Sequence, residues 1–295
     1  MRVERGKSIM RRSMRLNAAL LAAVIALAAL IHFKSAQEGP AEHALSALKA
    51  GDARSIRVER PGAAPILLER TQDDWFITAP FAARADGPRV QRLLEIAGAR
   101  AAHKLAATGL ARFDLERPAA RLIIDGQVFS FGLVNAATRE HYVMTGDAVY
   151  PVHLRYGAAL PAGAADLTSR QLFGPGEVPV RFELDPYTVE ERDSKWVLSG
   201  APHDLSQDDL IRWVEHWRMA AAARVGPLTR AKALARIRIR LKDGGALTLN
   251  LLAREPELVL ARPDEQLQYH FLADAGKRLL SPPGAGVRSE TAEKK

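Results

Sequence analysis

The run from Leu16 to Phe33, LNAALLAAVIALAALIHF, carries no charged residue. As a helix rising about 1.5 Å per residue it would reach roughly 27 Å, close to the hydrocarbon thickness of a bilayer. It is apolar all round, so a half-buried soluble helix with a polar stripe does not fit. Arg2, Arg5, Lys7, Arg11, Arg12 and Arg15 precede it against the single acid Glu4, whereas Lys34, Glu38 and Glu42 follow without a basic cluster. Bases beside a membrane segment stay on the cytoplasmic side. The expectation is a basic cytoplasmic tail over residues 1–15 and a single-pass transmembrane helix of the bacterial inner membrane over 16–33. The chain from 34 onward then lies in the periplasm. A cleaved signal peptide is the rival reading, but it puts Lys34 or Phe33 three residues before the cut, where a small residue is needed. Met10 or Met14 would serve equally as the start, each leaving a base ahead of the run.

Charge and cysteine content fit this placement. Net charge is +8; residues 1–15 hold six bases and one acid, which is +5, and only +3 remains for the rest of the chain. The basic balance is thus a topology signal rather than the footprint of a nucleic-acid binder. With no cysteine, neither a disulfide framework nor a thiolate site is available.

Beyond a connector over 34–52, within which Ala41–Ala50 could also form a short helix, the pattern becomes β-like. SIRVE from Ser55, PILLER from Pro65 and WFIT from Trp75 are short β-branched and apolar runs, separated by Pro61-Gly62 and by Gln72-Asp73-Asp74. The period then changes. Asp86 is a good N-cap, Pro88 suits a first helical turn, and Val90, Leu93, Leu94 and Ala97 form one helical face. RLIID, VFSFGL, HYVM and VYPV read as four further strands. The same order then recurs: VRFEL, TVEER and KWVLS, a helix capped by Ser206 with Leu210, Trp213, Val214 and Trp217 on one face, then ARIRIRL, ALTLNLL, LVLA and QYHFL. Trp75 matches Trp196, Asp86 matches Ser206, Val90 matches Leu210 and Asp125-Gly126 matches Asp243-Gly244, at offsets of 121, 120, 120 and 118 residues. The expected fold class is α+β: one N-terminal transmembrane helix, then two repeated units of antiparallel sheet plus helix. The units span 53–155 and 178–280, with a linker over 156–177 (a short helix expected near Ala165–Leu172) and a disordered tail over 281–295.

The chain resembles the family called domain of unknown function 4340. The resemblance is carried by the strand from Trp75 into Pro80, the cap Asp86, the phrase Phe113-Asp114-Leu115-Glu116-Arg117-Pro118, Phe131-Gly132-Leu133 and Tyr142-Val143. Phe113 and Asp114 depart from the family's Tyr-Gly at that phrase. Residues 50–175 carry most of the resemblance. It implies a membrane-anchored, outward-facing protein, in some cases a companion of ABC-type export systems, and it brings no catalytic residues.

The one stretch with unusual chemistry is the strand over residues 236–242. Alternation puts Arg236, Arg238, Arg240 and Lys242 on one face and Ile237, Ile239 and Leu241 on the other. These four are the candidate anion-binding residues, facing lipid headgroups or glycan; a plain solvated sheet face, its like charges blocking edge pairing, is the structural alternative. In the first unit Leu122 and Ile124 align with Arg240 and Lys242, so that copy is expected to be covered on both faces. Trp213 and Trp217 have core spacing. His141 and His153, with Asp147 between them, have no zinc-site spacing. Asp73-Asp74 and Asp208-Asp209 fall in a turn and a first helical turn rather than facing one another as glycosidase carboxylates must. No Walker, G-x-S-x-G, H-E-x-x-H or G-x-G-x-x-G phrase occurs. No catalytic, metal-binding or cofactor-binding residue is assigned and no cofactor is implied.

The function expected is a membrane-anchored periplasmic interaction or scaffold module. It would be held to the inner membrane through 16–33, engage an envelope protein partner and serve a transport or envelope-assembly complex. An anionic lipid or glycan binder is the alternative, and an enzyme with an unrecognised site the second alternative. Alkaline phosphatase fused beyond Pro40 should be active outside the cytoplasm. Activity confined to cytosolic reporters would overturn this topology.

Overall fold

The computed structural model describes residues 42–200 and 205–281, together with Val24 and Leu27. The expected transmembrane segment 16–33 and the tail beyond 281 lie outside the described residues, save those two positions, which are helical. Among the described residues no helix is long and apolar enough to cross a membrane.

Strands dominate. A two-stranded sheet pairs β1 (His43–Ala44) with β6 (Arg100–Ala101). The first large sheet contains β2 (Ser55–Glu59), β3 (Ile66–Thr71), β4 (Asp74–Ala79), β5 (Ala83–Arg84), β7 (Leu105–Ala106), β8 (Ala120–Ile124), β9 (Gln127–Asn135), β10 (Glu140–Thr145) and β11 (Ala148–His153). The second contains β12 (Pro179–Leu184), β13 (Tyr187–Arg192), β14 (Lys195–Ser199), β15 (Arg224–Pro227), β16 (Ala235–Leu241), β17 (Ala246–Ala253), β18 (Leu258–Arg262) and β19 (Leu267–Phe271). Among the described residues from 42 onward the helices are few and short: α1 (Gly87–Leu94), α2 (Arg155–Ala158), α3 (Gln207–Arg218) and α4 (Ala273–Leu280).

The α+β expectation is therefore corrected to a mostly β fold among the described residues, none of whose helices is long and apolar enough to cross a membrane. The helical period seen in sequence belongs to α1 and α3 alone, of 8 and 12 residues. The sheets are widened by β5, β7 and β15, segments of two to four residues too short to show any period. Between Ala41 and Ala50 the chain forms β1 and enters a 3-10 turn at Ala50–Asp52 instead of a helix, and near Ala165 only a 3-10 turn at Ala164–Asp166 forms.

Among the described residues all strand pairings are antiparallel. The strand orders are β5-β4-β3-β2-β8-β9-β10-β11-β7 and β14-β13-β12-β16-β17-β18-β19-β15. With β5 set aside, the two sheets have one topology. The first half is entered at Ile56 and Val58, both buried, as alternation along Ser55–Glu59 requires. Asp86 caps α1 by accepting from the Arg89 N–H at 3.0 Å, and Val90, Leu93 and Leu94 are buried. In the second half the Ser206 hydroxyl accepts from the Asp209 N–H at 3.2 Å. Leu210, Trp213, Val214 and Trp217 then face inward onto Phe182, whose ring centre lies 5.1 Å from Trp213 and 5.5 Å from Trp217. A buried aromatic pair adds about 0.5–1.5 kcal/mol beyond its buried area.

The two indoles also need acceptors. Trp213 Nε1 donates to the Ser281 carbonyl at 2.9 Å and Trp217 Nε1 to the Leu279 carbonyl at 3.0 Å, so the end of α4 satisfies both. That docking requires α4 to lie close on β18, where a Cβ at Gly276 would stand 2.5 Å from the Leu258 Cβ. Between the halves the linker is laced on both sides. Ser169 N–H donates to Arg84 O and Leu172 N–H to Ala220 O, at 2.8 and 2.9 Å. Core residues of both halves and Leu172 and Phe173 of the linker belong to one contiguous cluster.

Gly276→Ala should lower stability by about 1–3 kcal/mol in denaturant melts, the cost of overpacking a tight contact. Gly98→Ala, where a Cβ meets nothing within 4 Å, is the control and should be close to neutral.

Candidate functional site

The basic strand is β16. Arg236, Arg238 and Arg240 are exposed, Ile237, Ile239 and Leu241 are buried, and Lys242 lies exposed in the turn that follows. Helices α3 and α4 cover the inner face of this sheet through Phe182 and Leu258, so the arginines stand on its other, open face. Register decides their neighbours. Arg240 lies opposite Arg181 of β12 and Ala246 of β17, and Arg238 opposite Glu183 and Thr248. The row is therefore partly neutralised. Arg238 reaches Glu183 at 3.9 Å, and Arg181 holds Glu183 at 2.9 Å and also pairs with Glu190, which Arg192 engages from the other side. Among the described residues Arg236, Arg240 and Lys242 have no ion-pair partner. Arg236 and Arg240 are four residues apart on one strand face, about 13 Å.

The expectation that the equivalent strand of the first half is covered on both faces is corrected. In β8 the buried residues are Ala120, Leu122 and Ile124, while Arg121 is exposed and Ile123 half-buried. Leu122 thus corresponds to Ile239, an offset of 117 residues rather than 118. The reason is turn length. Asp125 and Gly126, both at positive φ, join β8 to β9 as a two-residue turn, whereas four residues, 242–245, join β16 to β17. Aligning the two Asp-Gly pairs therefore slips the register by one, which moves every side chain to the opposite face.

A second convergence of charge lies between the halves. Arg262, whose side chain is 2% exposed, donates to Glu177 at 2.7 and 2.9 Å, to Asp264 at 2.6 Å and to the Leu172 carbonyl at 2.8 Å. Arg84, from β5 of the other sheet, donates to Glu265 at 2.7 Å, to the carbonyls of Phe173 and Gln171 and to the Tyr269 hydroxyl, which itself donates to Glu265. Burial alone would lower the pKa of both guanidiniums. Tyr269 and Glu265 around Arg84, and the carboxylates around Arg262, more than reverse this and leave both above their ordinary values. Burial pushes the Tyr269 hydroxyl up. At Glu177 burial acts upward, but hydrogen bonds from Arg262 and from the Gly174 N–H prevail and hold the carboxyl below its usual range. A cleft of about 410 Å³ opens beside Trp75, Arg84, Asp86 and Gln171. Arg84 spends its donors on the network rather than on the cleft, so this constellation is a clamp between the halves. No period or motif marks these residues in sequence; the only local signal is a charged residue closing the apolar run LVLA before Pro263.

The remaining candidates are structural. Trp213 and Trp217 are 4% and 0% exposed, and Trp75 and Trp196 occupy strands β4 and β14 at the core. His141 Nε2 lies 3.0 Å from the Gly132 carbonyl, and burial lowers its pKa. His153 sits across from Glu140, on the neighbouring strand, and accepts from the Arg155 N–H. Among the described residues no group of three or more His, Cys, Asp or Glu side chains is placed to hold a metal ion. Asp73 lies in the β3–β4 turn, and Asp208 and Asp209 in the first turn of α3.

The clamp makes acid stability testable. A carboxyl held below its unfolded pKa contributes stability above the ordinary carboxylate range and loses it as pH falls through the folded value. Glu177→Gln should lower stability near neutrality and flatten the acid limb of the stability curve relative to wild type. Parallel acid limbs in pH-dependent melts would show that Glu177 carries no such load.

A family model described as Domain of unknown function (DUF4340) matches residues 75–241, more than half of the chain, from β4 of the first sheet through the linker to the end of β16. The match reaches well past the 50–175 stretch that carries most of the resemblance in sequence. No curated protein and no solved structure matches the chain. On that match, which runs from the first half through the linker into the second, the chain belongs to the DUF4340 family.

Proposed function

We propose that this protein is a non-catalytic docking module of the bacterial cell envelope. The apolar run 16–33 holds it at the inner membrane, and the body from residue 42 onward, two copies of one unit, lies on the periplasmic side. The open face of the second sheet engages the acidic surface of another envelope protein, in a transport or envelope-assembly complex. The observation that supports this is the row Arg236, Arg238 and Arg240 on a rigid strand, its two end members unpaired among the described residues. Glu183 and Glu190 are interleaved with the arginines on β12 and β13. A patterned face of mixed charge suits a partner with a matching pattern, since complementary charges set register and like charges reject wrong partners. A uniform anionic surface would meet the carboxylates as well as the arginines. The second reading, an anionic lipid or glycan surface, is favoured by the same unpaired cations near a membrane.

A photo-crosslinking residue at Thr248, opposite Arg238, tests both readings in intact membranes. One recurrent protein adduct through an acidic segment is expected, depleted about tenfold or more by R236E/R240E and by high salt. Adducts to lipid or glycan alone would favour the second reading. Recurrent adducts indifferent to charge reversal, or none at all, would refute the docking face.

A further inference from the structure

The ion pairs on the open face of the second sheet have a counterpart in the first. Arg57 Nε meets Glu59 at 2.7 Å as Arg181 meets Glu183 at 2.9 Å, and Arg121 lies 3.9 Å from Glu59 as Arg238 lies 3.9 Å from Glu183. The strands involved, β2 and β8 against β12 and β16, occupy the same places in the two sheet orders. A triad that recurs at equivalent positions on exposed strands is explained by cross-strand register. What differs between the halves is what surrounds it.

In the second half β12 and β13 are joined by two residues, Asp185 and Pro186; in the first, β2 and β3 are joined by six, Arg60 to Pro65. That longer loop rises on one side of the triad. Arg60 ties it down by donating to the Pro161 carbonyl at 2.8 Å. Residues Glu116 to Pro118, leading into β8, rise on the other side. The result is a cleft of about 490 Å³ with the triad as its floor and Pro61, Pro65 and Pro118 in its walls, within the size range of small-ligand sites. The walls add Arg60 and Arg117 to Arg57 and Arg121, four cations against Glu59 and Glu116, so the cleft carries a net charge of +2. Arg117 is exposed and has no ion-pair or hydrogen-bond partner among the described residues.

We infer that this cleft binds a phosphomonoester. Such a group carries about −1.5 to −2 charges at neutral pH, which matches the excess, and its oxygens accept the forked donors that guanidinium groups present. Arg117 and Arg121 are the recognition residues, Arg57 is held by Glu59 as a third donor, and the prolines pack the body of the ligand. The site is separate from the docking face and stands or falls independently of it. Two sources supply the same chemistry: a soluble phosphate ester, or the headgroup of a phosphatidate-type lipid.

The full chain is titrated calorimetrically with glycerol phosphate, and its binding to phosphatidate-containing vesicles is compared with binding to phosphatidylcholine vesicles. Saturable binding of glycerol phosphate that R117Q/R121Q weakens at least about tenfold supports the site and a soluble source. Binding to phosphatidate vesicles alone, lost in the same variant, supports the site and a headgroup source. Lys277→Gln, at an exposed cation of α4 that lines neither the cleft nor the open sheet face, should leave either binding unchanged. Ala63→Glu, which adds a negative charge at the cleft wall without removing any ion pair, should abolish it in a protein that melts like wild type. No binding of either probe, or equal binding by wild type and R117Q/R121Q, would overturn the assignment.

Discussion

Arg262 must be paired. A guanidinium with 2% of its side chain exposed would be untenable alone, and three carboxylates and a carbonyl surround it. Glu177 comes from the linker, and Glu265, shared with Arg84, reaches the first sheet. Removing one partner from such a cluster leaves an uncompensated charge and costs about 3–5 kcal/mol. Replacing a whole buried ion cluster with apolar groups of similar volume is often close to neutral, so the value of the charges lies in direction. Hydrogen bonds fix which surfaces of the two sheets meet, where apolar packing alone would tolerate sliding.

With the halves fixed, the open faces of the two sheets become usable surfaces. Both carry an Arg-Glu-Arg triad, and they have diverged around it by loop length. A two-residue turn leaves the β12–β16 face flat and broad, whereas six residues at the matching position wall off a cleft over β2 and β8. A flat patterned face suits a protein surface, and a walled cationic cleft suits a compact anion. Surface arginine pairs of this kind contribute little to stability, roughly 0–1 kcal/mol each, so these faces can change their chemistry with little effect on the fold.

Much of this was legible in the residues, for identifiable reasons. SIRVE and ARIRIRL alternate with period two and are strands β2 and β16; Asp86 and Ser206 precede helices because their side chains accept the free N–H groups of the first turn. The outward row of β16 follows from the same alternation. Its partial neutralisation by Glu183, more than fifty residues away, does not, because it depends on pairing register. The first half's matching face cannot be read from the Asp-Gly alignment, because that turn differs in length between the copies. β5 and β7, two residues each, carry no periodic signal, and α4 contains Gly276, which reads as a breaker until Leu258 is seen against it. The clamp was invisible because Arg84 and Glu265 are joined only by the fold.

The carbonyls that close α4 carry a further consequence. They are the acceptors for two indoles in the middle of the second half's core, so the last described turn of the chain acts as a plug rather than a trailing end. A recombinant fragment trimmed ahead of Leu279 would strand both N–H groups in an apolar interior, and any boundary chosen for an isolated second half has to run through Ser281.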